Sequence, residues 1–302
     1  MIYIKLFIEG LKKLGCTVIE NAPMKDYNSF RTGGNCDYLI KPNSIDNLSE
    51  ILKKCTSNSV PYTVLGNGSN VLVSDDGIKG IVILIGEGLN TIKLLDDNTI
   101  YCEAGVKLGT LCNFALEHSL TGLEFAFGIP GTLGGALFMN AGAYESEMKN
   151  VVARIHHLNK NGEKAFLDNK SSGFGYRTSA YQKNGFVITG AEIKLEKGEK
   201  ADIQAKMNEL LNKRKEKQPL EYPSAGSTFK RPENNFAGAL IEQCGLKGKQ
   251  IGGAMVSEKH AGFIINYDNA SSSDIEELIA FVKDTVLKEK GVLLTPEIRF
   301  LR

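Results

Sequence analysis

The chain has 302 residues, and its 36 Lys and Arg residues nearly balance its 35 Asp and Glu residues. That length can form two or three subdomains with a sizeable core, and the balanced charge gives no support to a nucleic acid or a membrane surface as a partner. No apolar run is long enough to cross a bilayer, and the six cysteines lack the C-x-x-C spacing of metal or redox motifs. We therefore expect a cytoplasmic, monomeric protein with buried free thiols and no metal site.

Apolar periodicity and turn residues predict the elements in chain order. Helices are expected at about 2–14, from the N-cap Ser44 to about Cys55, from about Lys107 to His118, from about Ala201 to Lys217, at 236–244 and at 273–289. Strands are expected up to Pro42, in YTVL and VLVS, and near 91–95, 99–104, 186–195, 251–255, 262–266 and 297–300. This mixture of interrupted strands and helices predicts an α+β fold rather than a doubly wound sheet.

Three local patterns give more detailed predictions. The stretch VVARIHHLNKNGEKAFLD is typical of a β-hairpin, with Asn161-Gly162 as a type I′ turn. The adjacent His156 and His157 are expected on opposite faces of the first strand, which argues against a shared metal ion. Ser273 and Glu276 have the spacing of a capping box at the start of the last helix.

Two glycine-rich loops are the most informative feature of the sequence. GNGSN spans residues 66–70 between two β runs, and GIPGTLGGALFMNAGA spans residues 128–143. Glycine lets the backbone approach a ligand closely, and successive exposed N–H groups can bind a pyrophosphate. One such loop is as readily a simple turn, but two loops with small residues and few charges favour a large, phosphate-bearing cofactor. The absence of G-x-G-x-x-G and G-x-x-x-x-G-K-[ST] argues against a Rossmann fold and a P-loop NTPase.

Six motifs carry a resemblance to a known family. They are NSFRTGG (28–34), LGNGSN (65–70), GIPGTLGGALFMNAGAY (128–144), FGYRTS (174–179), AGSTFKRP (225–232) and TPEIRF (295–300). In this order they resemble the UDP-N-acetylenolpyruvoylglucosamine reductase (MurB) family, flavoenzymes of peptidoglycan synthesis, from about Tyr27 to the C-terminus. The short path from Arg177 to the next strand resembles the second family type, which lacks an inserted tyrosine loop.

The resemblance implies a pair of FAD-binding α+β subdomains of the vanillyl-alcohol-oxidase type, followed by an α+β substrate domain. On this basis we expect FAD-binding subdomain 1 with the N-terminal helix at 1–76, FAD-binding subdomain 2 at 77–197, and the substrate-binding domain at 198–302. The two prolines of KQPLEYP agree with a break after the charged helix.

The resemblance also implies a reaction, the NADPH-dependent reduction of UDP-N-acetyl-enolpyruvoylglucosamine to UDP-N-acetylmuramate, with hydride passing from N5 of a non-covalent FAD to the vinyl carbon. Arg177 matches the family's cation for the substrate carboxylate, where negative charge develops. Ser227, in what resembles a short strand, matches the proton donor and needs no histidine because it donates a proton rather than attacks. Glu297 matches the second essential residue, a protonated acid or a group that holds a water, and its pKa is expected to be raised.

The remaining site residues are also assigned by resemblance. The expected cofactor-binding residues are Gly66, Asn67, Gly68, Ser69, Asn70, Gly128, Pro130, Gly131, Thr132, Gly134, Gly135, Ala136, Asn140, Ala141 and Gly142. Arg31 is expected either to approach the cofactor or to support the first loop. The expected substrate-binding residues are Tyr176, Arg214, Gln218, Arg231 and His260. A solvated helix face is the alternative for Arg214, and a satisfied core histidine is the alternative for His260.

Alternatives remain for single residues and for the function. Without the resemblance, a structural role would be favoured for Ser227, and an ion pair with Arg299 would be favoured for Glu297. Another FAD-dependent oxidase or dehydrogenase of the same fold, acting on a sugar or hydroxy acid, would keep the glycine loops without needing the set Arg177, Ser227 and Glu297. A covalent flavin would favour that enzyme, but the two loops contain no His or Cys to form one. A non-catalytic UDP-sugar binder is the other alternative, and flavin bound to the purified protein would argue against it.

Overall fold

The computed structural model describes residues 2–302, with side chains from Phe7 onward. The helices are α1 (Ile2–Lys13), α2 (Ile45–Ser57), α3 (Leu108–Glu117), α4 (Leu133–Met139), α5 (Tyr181–Asn184), α6 (Lys200–Lys217), α7 (Ala237–Gln243) and α8 (Ser272–Lys290). The strands are β1 (Thr17–Pro23), β2 (Asn35–Lys41), β3 (Tyr62–Leu65), β4 (Val71–Val73), β5 (Ile78–Leu84), β6 (Ile92–Leu94), β7 (Thr99–Glu103), β8 (Leu120–Thr121), β9 (Gly142–Ala143), β10 (Ser146–Glu147), β11 (Val152–Leu158), β12 (Lys164–Asp168), β13 (Val187–Lys194), β14 (Glu196–Lys197), β15 (Gln250–Ile251), β16 (Ala254–Val256), β17 (Ile264–Asn266) and β18 (Arg299–Leu301). The predicted α+β class is confirmed.

The chain forms two compact units. The first consists of Met1–Glu20, Tyr38–Asn67 and Gly80–Asn212, and the second of Asn21–Asp37, Gly68–Lys79 and Lys213–Arg302. Each unit has its own apolar core, so each gains the free energy of apolar burial by itself. The expected functional division at 1–76, 77–197 and 198–302 stays a prediction.

A five-stranded antiparallel sheet is the largest element of the first unit, with the strand order β12-β11-β13-β7-β6. Its buried residues, among them Ile155 and Ile193, share one core with Leu111 of α3. The strands β3 and β5 belong to a four-stranded sheet, where they pair in parallel with Leu65 opposite Leu84. Because Leu65 ends β3, the first glycine-rich loop begins at the carboxyl end of this strand.

The β11–β12 hairpin is present, but its predicted type I′ turn is wrong. That turn needs positive φ at both central residues, whereas Gly162 has a φ of 74° and Asn161 is not among the positive-φ residues. The Gly162 amide donates to the Asn159 carbonyl at 2.9 Å. The side-chain oxygen of Asn159 also accepts from the amides of Asn161 and Glu163. These bonds favour a longer loop in which glycine alone takes the left-handed conformation.

In the second unit, α8 packs on the three-stranded antiparallel sheet β15-β16-β17. Its buried face, which includes Ile275 and Val282, shares a core with Ile241 of α7. The single strand predicted at 251–255 is wrong, because the chain turns at Gly252-Gly253 and forms the two strands β15 and β16. The strand β18 pairs in parallel with β4.

Two carboxylates hold the N-terminus of α8. Ser271 is the N-cap and forms a capping box with Asp274, so the box predicted at Ser273 and Glu276 is wrong by two positions. Ser273 lies instead inside the first turn, where its amide and hydroxyl donate to Asp75 at 2.9 and 2.7 Å. Two anionic groups at the positive end of a long helix stabilise it.

The cysteines follow the prediction of free, buried thiols. Those that are fully buried are Cys16, Cys36, Cys55, Cys102 and Cys112, while Cys244 is half-buried. Burial raises the pKa of Cys55 to about 12, so this thiol is protonated at neutral pH. Within residues 2–302, no helix is long and apolar enough to cross a membrane.

We expect Asp75→Asn to lower the free energy of unfolding by about 1 kcal/mol, the usual cost of losing a helix cap. Burial raises the pKa of Asp75, but hydrogen bonds from Ser272 and Ser273 outweigh this and lower it overall. A carboxylate with a lowered folded-state pKa stabilises the protein above its unfolded pKa and loses that contribution as the pH falls through the folded value. Urea unfolding should therefore show a difference at neutral pH that shrinks below about pH 4.

The control for this prediction is Asp284→Asn, on the exposed part of the same helix. It should leave the free energy of unfolding nearly unchanged at every pH. A defect of Asp75→Asn that is as large in acid as at neutral pH would show that the charge of the carboxylate is not what stabilises α8.

Candidate active site

The two glycine-rich loops meet in the first unit. The side-chain amide of Asn67 donates to the Pro130 carbonyl at 2.7 Å. A Cβ on Gly66 would lie 2.6 Å from the Thr132 hydroxyl oxygen, so this approach requires glycine. That hydroxyl is buried and has no hydrogen-bond partner in the described part of the chain. Because buried polar groups are nearly always paired, this junction has the chemistry of a ligand site.

The adjacent glycines of α4, Gly134 and Gly135, have different surroundings. A Cβ on Gly134 would lie 3.0 Å from the Cβ of Ala104, so this glycine lets α4 pack closely against the residue after β7. A Cβ on Gly135 would meet a single described atom within 4 Å, the Thr132 hydroxyl oxygen at 3.7 Å. Packing within the protein therefore explains why residue 134 is a glycine. It does not explain Gly135, where the space above the helix is available to a ligand.

The rest of the first loop belongs to the second unit. Gly68 has a φ of 62°, and its carbonyl accepts from the amide and the hydroxyl of Ser29 at 3.1 and 3.2 Å. The side-chain amide of Asn70 donates to the Glu297 carbonyl at 3.3 Å, and the Asn70 carbonyl accepts from the Arg299 amide at 3.0 Å. These bonds attach the loop to the segment that carries Glu297.

Ser227 is exposed and does not lie in a strand, so the expected strand is wrong. The segment forms only isolated β-bridges, at Ser224 and Phe229. Between them, Gly226 has a φ of 77°, which interrupts the extended backbone before it can form a continuous ladder.

Thr228 connects the serine to the glutamate. It is fully buried, its amide donates to the Gly262 carbonyl at 2.8 Å, and its hydroxyl accepts from the Ile264 amide at 3.0 Å. Its carbonyl accepts from the Glu297 amide at 2.8 Å. The fold of the second unit thus brings Ser227 and the half-buried Glu297 onto adjoining, directly hydrogen-bonded segments.

Arg177 lies in the first unit in a left-handed backbone conformation, with a φ of 53°. Its guanidinium Nη2 donates to the Gly142 carbonyl at 3.0 Å, and the guanidinium carbon lies 5.1 Å from the ring centre of Tyr176. Tyr176 is 51% exposed. The structure therefore brings the predicted cation beside the end of the second glycine-rich loop.

Two residues predicted for the nucleotide end, Arg214 and Gln218, lie at the C-terminal end of α6. The backbone amide of Gln218 donates to the backbone carbonyl of Arg214 at 2.9 Å. The Lys259 ammonium donates to the backbone carbonyl of Lys215 at 2.7 Å. The side-chain carbonyl of Gln218 is buried and accepts no hydrogen bond from the described residues. It is therefore a candidate acceptor for a ligand donor.

The contacts of His260 favour the alternative of a core histidine. Its Nδ1 accepts from the Gly262 amide at 3.0 Å, and its ring packs edge-on against Phe263 with ring centres 5.0 Å apart. Burial lowers the pKa of His260. The neutral ring therefore carries its proton on Nε2.

Arg31 and Arg231 are exposed residues of the second unit. Arg31 has a φ of 57° and lines an open cleft of about 510 Å³ together with Tyr222 and Tyr267. Arg231 lies over Phe236, with its guanidinium carbon 4.0 Å from the ring centre. None of the three predicted catalytic residues lines this cleft. The cleft therefore gives no evidence that Arg31 acts together with them.

The adjacent histidines face opposite sides of β11, as predicted. His157 is buried, with Nδ1 2.9 Å from the Tyr181 hydroxyl, whereas the half-exposed His156 has Nε2 2.9 Å from a carboxylate oxygen of Glu192. Among the side chains that the structure describes, from Phe7 onward, no group of three or more His, Cys, Asp or Glu residues is placed to hold a metal ion.

Comparison with known proteins identifies the family. A model described as "UDP-N-acetylenolpyruvoylglucosamine reductase, C-terminal domain" matches residues 218–301, and one described as "FAD binding domain" matches residues 36–165. The UDP-N-acetylenolpyruvoylglucosamine reductase of Clostridium botulinum is 49% identical over 93% of this chain and 92% of its own length. The chain belongs to the UDP-N-acetylenolpyruvoylglucosamine reductase family. The reductase of Clostridium tetani is 47% identical over 99% of this chain and 97% of its own length.

The structural comparison agrees with this membership. The crystal structure of the MurB reductase from Thermus caldophilus matches with a TM-score of 0.81 at 34% identity, over 95% of this chain and 99% of that chain. The chain is therefore an FAD-dependent oxidoreductase, and the predicted FAD-binding fold followed by a C-terminal domain is confirmed. Its residues fit the cofactor, because the unpartnered Thr132 hydroxyl and the open side of Gly135 lie together in the FAD-binding match.

Sequence reasoning missed two residues that hold the predicted catalytic groups. Thr228 fixes the backbone beside Ser227, and the side-chain amide of Gln182 donates to the Arg177 carbonyl at 3.1 Å. Thr228 lies inside the motif AGSTFKRP, and Gln182 lies three residues beyond FGYRTS. Their nearness to a motif is the only signal in the sequence, since hydrogen bonds of this kind leave no periodic pattern.

We expect Gly135→Leu to lose bound flavin without losing the fold. A Cβ at this position meets one described atom within 4 Å, the Thr132 hydroxyl oxygen at 3.7 Å, so the helix tolerates it, and replacing a helical glycine removes a penalty of about 1 kcal/mol. The measurements are the ratio of flavin to protein absorbance and the thermal unfolding midpoint.

The matched control is Gly109→Leu. Gly109 lies in the first turn of α3, and a Cβ there has the same 3.7 Å clearance, to the Phe127 carbonyl oxygen. This variant should keep its flavin. Full flavin content in Gly135→Leu would contradict a cofactor above α4.

We also expect His260 to titrate below its ordinary pKa of 6.5, because burial penalises the charged ring. A histidine that is neutral in the fold stabilises the protein above its unfolded pKa, and this contribution is lost as the pH falls below that value. Imidazole NMR shifts over a pH series measure the midpoint. A midpoint at or above the ordinary value would contradict the burial argument.

Proposed function

We propose that the protein reduces the enolpyruvyl ether of UDP-N-acetyl-enolpyruvoylglucosamine to the lactyl ether of UDP-N-acetylmuramate, a step of peptidoglycan precursor synthesis. NADPH is the reductant. The vinyl CH₂ carbon gains a hydride, the carbon that bears the ether oxygen gains a proton, and NADPH leaves as NADP⁺, so that atoms and electrons balance. Family membership supports this substrate. We also propose that the enzyme is monomeric and cytoplasmic.

The proposed cofactor site is the junction of the two glycine-rich loops. Asn67, Thr132 and Gly135 would line it, and Gly142 would continue its wall. When bound, FAD supplies the two-electron chemistry by which the hydride of NADPH reaches the substrate. The protein's part is to hold this group, exclude water and set the substrate against it.

Arg177 is the proposed binding group for the substrate carboxylate. Hydride addition to an enol ether builds negative charge on that carboxylate, and a fixed, permanently charged guanidinium stabilises such charge better than water does. A guanidinium can also hold a carboxylate through two parallel hydrogen bonds. The contact of Arg177 with Gly142 supports the role, because it keeps the cation next to the proposed cofactor wall.

Ser227 and Glu297 are the proposed groups at the carbon to be protonated. The observation that carries this proposal is the hydrogen bond between the Glu297 amide and the Thr228 carbonyl at 2.8 Å, which joins the two segments. Ser227 would donate its hydroxyl proton to the strongly basic carbon and, being exposed, regain one from solvent. Glu297 would act as an acid or hold a water beside it.

The proposed nucleotide end includes the buried side-chain carbonyl of Gln218, a free acceptor for a ligand donor. Arg214 would contribute a charge from the same end of α6. Arg231 and Tyr176 would add contacts from exposed positions. His260 is left out of this proposal, because the contacts of its Nδ1 and its ring are those of a core histidine.

We expect Ser227→Ala to keep the reduction of bound flavin by NADPH and to slow reduction of the enolpyruvyl substrate by about 10²- to 10⁴-fold, the usual contribution of a positioned proton donor. Stopped-flow absorbance separates the two half-reactions. Ser224→Ala is the matched control in the same segment, because the β-bridge of Ser224 to Ile265 uses only the backbone, and it should change neither half-reaction. Near wild-type turnover by Ser227→Ala would contradict the assigned role of the serine.

A further inference from the structure

We propose that Gln182 is a positioning residue for the reaction, which acts by holding the backbone of Arg177 in its left-handed conformation. This inference rests on the proposed carboxylate-binding role of Arg177. It concerns a residue that lies outside all six family motifs and contacts the proposed site through the backbone of Arg177.

The starting point is the backbone of Arg177. Its φ of 53° lies in a region that residues other than Gly, Asn and Asp seldom adopt. Such a conformation costs on the order of 1–3 kcal/mol and persists only where the surroundings over-determine it. Two backbone hydrogen bonds between Gly175 and Thr178, at 3.1 and 3.2 Å, close the turn around Arg177, and the surrounding fold must compensate for the rest of this cost.

The side-chain amide of Gln182 provides that compensation. Its Nε2 donates to the Arg177 carbonyl at 3.1 Å and to the Phe138 carbonyl at 3.0 Å. The two amide hydrogens thereby join the arginine loop to the last turn of α4. Gln182 lies in α5, and its backbone amide donates to the Ser179 carbonyl at 3.2 Å. The side chain therefore projects from a fixed turn.

Ser179 makes a similar contact with α4 and offers a comparison with Gln182. The Ser179 hydroxyl also donates to the Phe138 carbonyl, at 2.8 Å. It shares the acceptor of Gln182 and the attachment to α4. This bond uses the single hydroxyl hydrogen of Ser179, which is therefore not donated to the Arg177 carbonyl, so Ser179 provides a matched comparison.

The guanidinium end of Arg177 is held separately. Its Nη2 donates to the Gly142 carbonyl at 3.0 Å, so the backbone and the tip of the side chain have different supports. Loss of the Gln182 bond would weaken the support of this left-handed backbone, and we expect the guanidinium to shift with it. Small displacements of a group that stabilises developing charge cost large factors in rate.

The test compares Gln182→Met with Ser179→Ala in the full-length holoenzyme. Methionine keeps the length of the side chain and removes both donors. We expect Gln182→Met to slow reduction of the enolpyruvyl substrate by about ten-fold or more, with flavin content and the rate of flavin reduction by NADPH unchanged. Ser179→Ala should leave the substrate half-reaction near the wild-type rate. Equal effects of the two variants would overturn the proposal, because they would reflect attachment of the loop alone.

A double-mutant cycle with Arg177→Ala gives the decisive result. If Gln182 acts through Arg177, Gln182→Met should cost nothing further in the Arg177→Ala background. The same loss in both backgrounds would overturn the proposal. If Gln182→Met does not fold, Gln182→Asn, which keeps the donors but shortens their reach, should show a smaller loss that also disappears in the Arg177→Ala background.

This design separates failure of the inference from failure of the proposed function. Arg177→Ala alone should slow the substrate half-reaction by about 10²- to 10³-fold. If it does not, the carboxylate-binding role of Arg177 is wrong. If it does and Gln182→Met remains fully active, Arg177 keeps its role and only the positioning role of Gln182 is wrong.

Discussion

The arrangement of the first unit's site depends on one buried side chain, Asn140. It is fully buried and ends α4 in a left-handed conformation. Its Nδ2 donates to the Gly175 carbonyl at 3.0 Å, and its Oδ1 accepts from the Lys149 amide at 2.9 Å. One amide thus joins the helix that begins with the glycine pair to the loop that carries Arg177. Removal of either bond would leave a buried group unsatisfied, at a cost of about 1–3 kcal/mol, so the helix end and the loop cannot change independently.

Strained backbone is concentrated around the same point. Tyr144 and Glu145 are consecutive residues with φ of 52° and 67°, at the turn between β9 and β10. The Tyr144 hydroxyl donates to the Leu210 carbonyl at 2.9 Å, which fastens this turn to α6. The first residue of β9 is Gly142, whose carbonyl accepts from Arg177. The donor Arg177 is itself left-handed, and the acceptor Gly142 lies between the left-handed Asn140 and Tyr144, a pattern typical of sites that fix a side chain in place.

The sequence predicted the features that depend on local patterns and missed those that depend on single contacts. Helices such as α3 and α8 have enough apolar repeats to be predicted nearly to their ends, and the family motifs supplied the candidate site. The turn at Asn161 was wrong because the side chain of the preceding Asn159 favours a longer loop. The cap at Ser273 was wrong because Ser271 and Asp274 form the box two positions earlier, and Ser273 donates to Asp75, far away in sequence. The left-handed backbone of Arg177 opposes the local preference of arginine, so only the assembled fold can produce it.

In the second unit, Thr228 is buried and the adjacent Ser227 is exposed. This difference suits a neutral proton donor. The amide, carbonyl and hydroxyl of Thr228 are all hydrogen-bonded in the core, while Ser227 is exposed beside it. A serine hydroxyl is a weak acid, so its usefulness as a donor to a strongly basic carbon depends on its position more than on its acidity. The three bonds of Thr228 fix the backbone on one side of Ser227, and Gly226 allows the bend on the other. Position is therefore set by backbone hydrogen bonds, which explains how a serine without an activating histidine can serve in the proposed reaction.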